Sequence, residues 1–154
     1  MNPIRRTFLK FNGALAAVST LAVAGLLKTT QAAAAWNKTG FESKAVAEAM
    51  KSLGASSAAE SREIVITAPD IAENGAVVPI EVVSRIPNTQ SISIIAEKNP
   101  FPLAATADFA NGAEPYAYVR IKMGQTSNVR VVVKADGKFF TTAKEVKITV
   151  GGCG

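Results

Sequence analysis

The residues able to do chemistry in this chain are few, and the most telling stand at its end: Gly151-Gly152-Cys153-Gly154. Cys153 is the one cysteine among 154 residues, and there is no histidine at all. A cysteine thiolate is a strong nucleophile and a soft ligand. Without histidine, the chain lacks the usual general base, the imidazole zinc ligand and the central member of a Ser-His-Asp triad. A single thiol also excludes an internal disulfide framework and a cysteine-only metal cluster. What remains is one nucleophile, no catalytic residue to activate it and no cofactor or metal ligand set. The glycines on either side carry no Cβ to shield the sulfur and allow wide φ/ψ freedom. A thiol one residue from the end has no following chain to bury it. The expectation is a flexible arm, Gly151, Gly152, Cys153 and Gly154, that pushes its sulfur into a narrow cleft of another protein. The carboxylate of Gly154 should oppose ionisation of the thiol, so activation is expected from the visited pocket.

Two other uses of such a thiol compete with this one. An odd cysteine in an exported chain often forms an intermolecular disulfide, which would make the protein a structural or interaction module clamped into a dimer. The thiol can also be incidental. The bare glycine flanks favour a sulfur that moves and is used repeatedly, because a static clamp gains nothing from them. Other groupings are weaker. Asp108 and Glu114 are imaginable as paired carboxylates but read as solvated surface. Arg120, Lys122, Arg130, Lys134 and Lys138 would form a basic stripe only if their strands were neighbours; the wet faces of separate strands are the plainer reading. Tyr116 and Tyr118 share one strand face and read as packing residues.

The elements that must position the thiol follow from patterning. Residues 1–35 have a basic head, Arg5-Arg6-Thr7-Phe8-Leu9-Lys10, a mildly apolar middle from Phe11 to Leu27, and the small residues Ala32 to Ala35. This is the layout of a secretory signal, and the paired arginines followed by Phe-Leu-Lys resemble the twin-arginine type, with Ile4 where that type usually has Ser or Thr. Asn12, Gly13, Ser19 and Thr20 leave the middle too weakly apolar and short for a firm membrane anchor; an uncleaved signal anchor is the competing reading. Cleavage before Trp36 removes Arg5, Arg6, Lys10 and Lys28. That leaves 13 of the 17 basic residues against all 12 acidic ones, so the net charge falls from +5 to about +1. Nucleic-acid binding then loses its electrostatic support. The expected address is the periplasm.

In residues 36–150, apolar residues recur at helical spacing from Phe41 to Leu53 (Phe41, Ala45, Val46, Ala49, Met50, Leu53), and Gly54 stops the run. Everything after reads as strand: Glu63–Thr67, Ala76–Ser84, Ser91–Glu97, Leu103–Phe109, Tyr116–Met123, Val129–Lys134, Lys138–Thr142 and Val146–Val150. Asp70 to Gly75 reads as a turn, Pro79 suggests an edge position or a bulge, and Asp136-Gly137 predicts a tight hairpin. Short strands about ten residues apart, with turn residues between them, predict an all-β, antiparallel β-sandwich behind one short helix.

Taken together, the export signal, the short helix, the Ig-like sandwich and the Gly151-Gly152-Cys153-Gly154 arm resemble the SoxY family, the carrier subunits of periplasmic thiosulfate oxidation. The segment Asn99-Pro100-Phe101-Pro102-Leu103-Ala104 also resembles that family. Family arms commonly end one glycine later. The resemblance implies that Cys153 is the covalent attachment point for pathway intermediates and that the protein is a carrier, not itself a catalyst. It implies a haem-containing enzyme that joins thiosulfate to the sulfur, a hydrolase that releases sulfate, and in some organisms a sulfane dehydrogenase. It further implies a heterodimer with a SoxZ-like subunit lacking its own signal. That pairing would explain why a chain without cofactor ligands uses an export route for folded proteins.

Overall fold

The computed structural model describes residues 37–110 and 112–149. The chain divides into two units, Met1–Ala35 and Trp36–Gly154, and every described residue belongs to the second. The expected signal over residues 1–35, Trp36 at its cleavage point, and the arm residues Gly151, Gly152, Cys153 and Gly154 lie outside the described residues.

Two helices come first, α1 (Lys38–Glu42) and α2 (Val46–Ser52). The single helix expected from Phe41 to Leu53 is therefore broken, and the break has a local cause. Ser43 leaves the helix with extended dihedrals, and its hydroxyl donates back to the Thr39 carbonyl at 2.7 Å. Ser competes with helix continuation in this way. Ala45 is extended too, so α2 starts afresh, with the Glu48 carboxylate accepting from the Lys44 amide at 3.3 Å. The far end closes as expected. Gly54 has φ +78°, its amide donates to the Lys51 carbonyl, and the Ala55 amide donates to the Met50 carbonyl. That is the double bond of a glycine-terminated helix.

The strands are β1 (Ala59–Glu60), β2 (Ile64–Thr67), β3 (Ile71–Ala72), β4 (Val78–Ser84), β5 (Thr89–Ala96), β6 (Leu103–Asp108), β7 (Tyr116–Ile121), β8 (Ser127–Ala135) and β9 (Lys138–Ile148). A large sheet has the order β1-β9-β8-β5-β6 with β3 also on β9, and a small sheet has the order β2-β4-β7. The result is an Ig-like sandwich, all-β apart from the leading helices. Alternation assigns the faces. Val129, Val131 and Val133 of β8 and Ile92 and Ile94 of β5 meet Ile64 of β2, Val78, Ile80 and Val82 of β4 and Ile121 of β7 in the inter-sheet core. On the outer face of the large sheet, Ile95, Leu103 and Val132 pack with Ala49, Ala55, Phe41, Met50 and Phe139. The helices thus form a third layer. Each fully buried Val or Ile contributes about 1.5–3 kcal/mol relative to an exposed one.

Two details depart from the sequence pattern, and a third follows it. Ile71 and Ala72, inside the expected turn, pair in parallel with Lys147 and Ile148, and β1 pairs in parallel with Phe140 and Thr141. These two short strands cover stretches of the outer edge of β9, an edge that would otherwise invite pairing with another chain. β9 runs unbroken where two strands were expected. Pro79 lies in the middle strand of the small sheet, yet β2 ends opposite Glu81, so Pro79 has a partner only on β7. It occupies a local edge, where a missing N–H costs nothing.

Candidate functional site

The strand that leads to Cys153 is β9, and the described chain stops at Thr149, four residues short of the thiol. What the structure supplies is the root of the arm. Pairing of β9 with β8 ends at Val146, opposite Ser127. Beyond that point β9 would fray if nothing replaced β8, because its amides would lose their acceptors. Several groups replace it. The Ile148 amide donates to the Thr126 hydroxyl at 3.0 Å, so a side chain stands in for the next β8 carbonyl. On the other side, the Lys147 amide donates to the Asp70 carbonyl at 3.0 Å and the Thr149 amide to the Ala72 carbonyl at 3.2 Å.

Lys144 secures the strand that does this. Its ammonium donates to the Ala68 carbonyl at 2.7 Å and pairs with the Asp70 carboxylate at 3.0 Å. Asp70 is largely exposed, so the ion pair alone contributes little; the bond to Ala68 is the firmer tie. Gly75 completes the packing. A Cβ there would stand 2.4 Å from the Met123 carbonyl oxygen and 3.0 Å from Ile148 Cγ2, and the Met123 amide donates to the Gly75 carbonyl at 2.7 Å. Only glycine lets the 73–77 turn press this closely.

The family-like segment ends in the same place. The Asn99 side chain donates to the Lys122 carbonyl at 2.6 Å and accepts from the Gly124 amide at 3.4 Å. Lys98 and Ser127 are joined by a 3.0 Å bond from the Lys98 amide to the Ser127 hydroxyl. Pro102 is fully buried, whereas Phe101 is exposed. The loops 97–102 and 122–126, the turn 73–77 and β3 therefore surround the point where β9 ends. Exposed Ile71, Val77 and Phe101 decorate that end of the sandwich.

The other sequence candidates scatter. Asp108 and Glu114 are both exposed. Arg120 lies on the outer face of the small sheet, whereas Arg130 and Lys134 face the helix side of the large one, so no basic stripe forms. Arg130 is instead bound to Glu97 at 2.7 Å. Tyr116 and Tyr118 do share a face, but it is the outer face of the small sheet, and both are about half exposed at 45% and 50%. They do not pack in the core, because Ala117, Val119 and Ile121 take that side of β7. A cleft of about 520 Å³ lined by Arg85, Pro87, Asn88, Gln90, Phe109 and Gly112 opens at the end of the sandwich opposite Thr149. Among the described residues no cluster of Cys, His, Asp or Glu could hold a metal, and no helix is long and apolar enough to cross a membrane.

The family described as sulfur oxidation protein SoxY matches residues 49–153, a span that begins in α2 and runs through Cys153. The chain belongs to the SoxY family. Among solved structures it is similar to the sulfur carrier protein SoxY from Chlorobium limicola f thiosulfatophilum, at 41% identity over 62% of this chain and 88% of that one, with a TM-score of 0.56. A PKD domain of an M14-like peptidase from Thermoplasmatales archaeon SCGC AB-540-F20 shares 17% identity over 55% of this chain and 91% of that one, at a TM-score of 0.37. No curated protein matches the chain. Membership of the SoxY family ties this chain to sulfur oxidation. The residues that sequence reasoning missed are Thr126, Asp70 and Lys144, which hold the root. No local pattern marks them, since each acts across a long sequence separation.

Proposed function

We propose that the protein is a covalent carrier of sulfur intermediates in thiosulfate oxidation, with Cys153 as the attachment point. The observation that carries the reading is the family match extending through Cys153 itself, on a chain with no histidine and no second thiol. The carrier is loaded by an oxidative step. The Cys153 thiolate and the outer sulfur of thiosulfate form an S–S bond, and the two electrons released pass to a haem-containing partner enzyme. A hydrolase then adds water across the bond between the terminal sulfur atoms, releasing sulfate and two protons and leaving a persulfide anion on Cys153. A sulfane dehydrogenase oxidises that sulfur where one is present. The carrier works as a heterodimer with a SoxZ-like subunit, in the periplasm, after export by the twin-arginine route and removal of residues 1–35. Gly151, Gly152 and Gly154 keep the thiol slender enough to enter its partners' pockets.

The test is the intact mass of the protein isolated under non-reducing conditions from cells fed thiosulfate. Thiosulfonate or persulfide adducts that map to Cys153 support the carrier. Exclusively disulfide-linked dimers would favour the structural module instead, and an unmodified chain would sink both readings.

A further inference from the structure

We infer that Thr126, with the Asp70–Ala72 strand and Lys144, acts as a clasp that fixes the working length of the carrier arm. The inference rests on the carrier reading and adds to it positioning residues for the delivery of Cys153.

The argument is geometric. Ile148 is held on both sides after β8 has ended: by the Thr126 hydroxyl on one, and by the neighbouring bonds to Asp70 and Ala72 on the other. Thr149 is clasped through its bond to Ala72, and Cys153 follows four residues later, a stretch that spans at most about 13–14 Å. Were the clasp absent, the nearest firm pairing of β9 would be Val146 with Ser127. The tether would then gain Lys147, Ile148 and Thr149, or up to about 10 Å of extended chain. A reactive group on a tether works at an effective concentration that peaks when the tether matches the span and falls as it lengthens. A fixed root therefore concentrates the sulfur at one depth in whatever pocket receives it.

A hydroxyl on the loop is also a specific choice. Thr126 is partly buried, and a valine there would keep the shape while removing the acceptor for the Ile148 amide. Its loop is braced in turn through Asn99 to the 97–102 segment, so the clasp is tied to the body of the sandwich.

The experiment uses the full chain with nitroxides on Cys153 and on a cysteine introduced by Lys134→Cys, an exposed position on β8, read by pulsed electron double resonance. Thr126→Val and Lys144→Met should shift the distance distribution to longer values and broaden it, while Thr126→Ser should reproduce the parent. Exchange of the Ile148 amide should quicken several-fold in Thr126→Val and not in Thr126→Ser. Insertion of three glycines after Thr149 lengthens the tether without touching the clasp, and keeps the idea testable should either substitution unfold the chain. In thiosulfate-fed cells that insertion and Thr126→Val should lower the loaded fraction of Cys153, with the rate of alkylation by iodoacetamide unchanged. Distance distributions and amide exchange unaltered in Thr126→Val would overturn the clasp. So would a loaded fraction indifferent to the glycine insertion. Absence of any adduct in the parent protein would instead sink the carrier reading, and the distance measurements would be unaffected by it.

Discussion

Cys153 needs no help from a neighbouring base if its chemistry is carried out in other proteins' pockets. Cys153→Ser should therefore abolish sulfur adducts in the intact mass while leaving the thermal midpoint of the protein unchanged, because both core clusters are built from residues between Phe41 and Ile148. Gly75 makes the opposite case. It bears no chemistry, yet a methyl group there meets the Met123 carbonyl oxygen, a backbone atom that cannot swing aside. Gly75→Ala should cost about 1–3 kcal/mol, measured as a lower urea midpoint at constant slope. The thiol and its glycine flanks are proposed as the site from the sequence, on their types and spacing. Thr126 is not legible there, since a threonine in a Gly124-Gln125-Thr126-Ser127 loop looks like any other turn residue. Its importance comes from the place where β8 stops short of β9.

Elements differ in how openly the chain declares them. The β8–β9 hairpin is plain, because Asp136 (φ 48°) and Gly137 (φ +73°) both take the left-handed conformation that a two-residue hairpin demands. Gly137→Ala should cost about 1 kcal/mol in the same unfolding experiment, while leaving Cys153 loading intact. Parallel strands of two residues are too short to show any periodicity, which hides β1 and β3. The helix break is hidden for another reason: apolar spacing continues through Ser43, whose hydroxyl bonds back to Thr39 and whose amide bonds back to Gly40 where α1 ends. Alternation in β7 says that Tyr116 and Tyr118 face one way but not which way, since Ala117, Val119 and Ile121 are apolar as well. Core strands should respond most strongly to truncation. Val131→Ala, at a fully buried site between the sheets, should destabilise by about 2–3 kcal/mol.

At the scale of the whole molecule, the layers are unequal. The helical layer rests on one face of the large sheet through its own small cluster, whereas β5 and β8 are inner strands paired along both edges. Amides of α1 and α2 should exchange well before those of β5 and β8, by local opening, in a hydrogen-exchange time course of the folded protein. The proposed twin-arginine export is tested at this scale as well. Conversion of Arg5 and Arg6 to lysine should retain the protein in the cytoplasm with residues 1–35 attached, as read by cell fractionation and intact mass.

The hairpin at Asp136-Gly137 and the exit at Thr149 mark the two ends of β9, whose 11 residues span about 36 Å. A dye or an affinity handle spliced into that bend would sit a full strand's length from the residue at which the proposed carrier arm begins. Protein immobilised on a sensor chip in this way would turn the Thr149 exit toward the solution, where partner enzymes could be flowed over it.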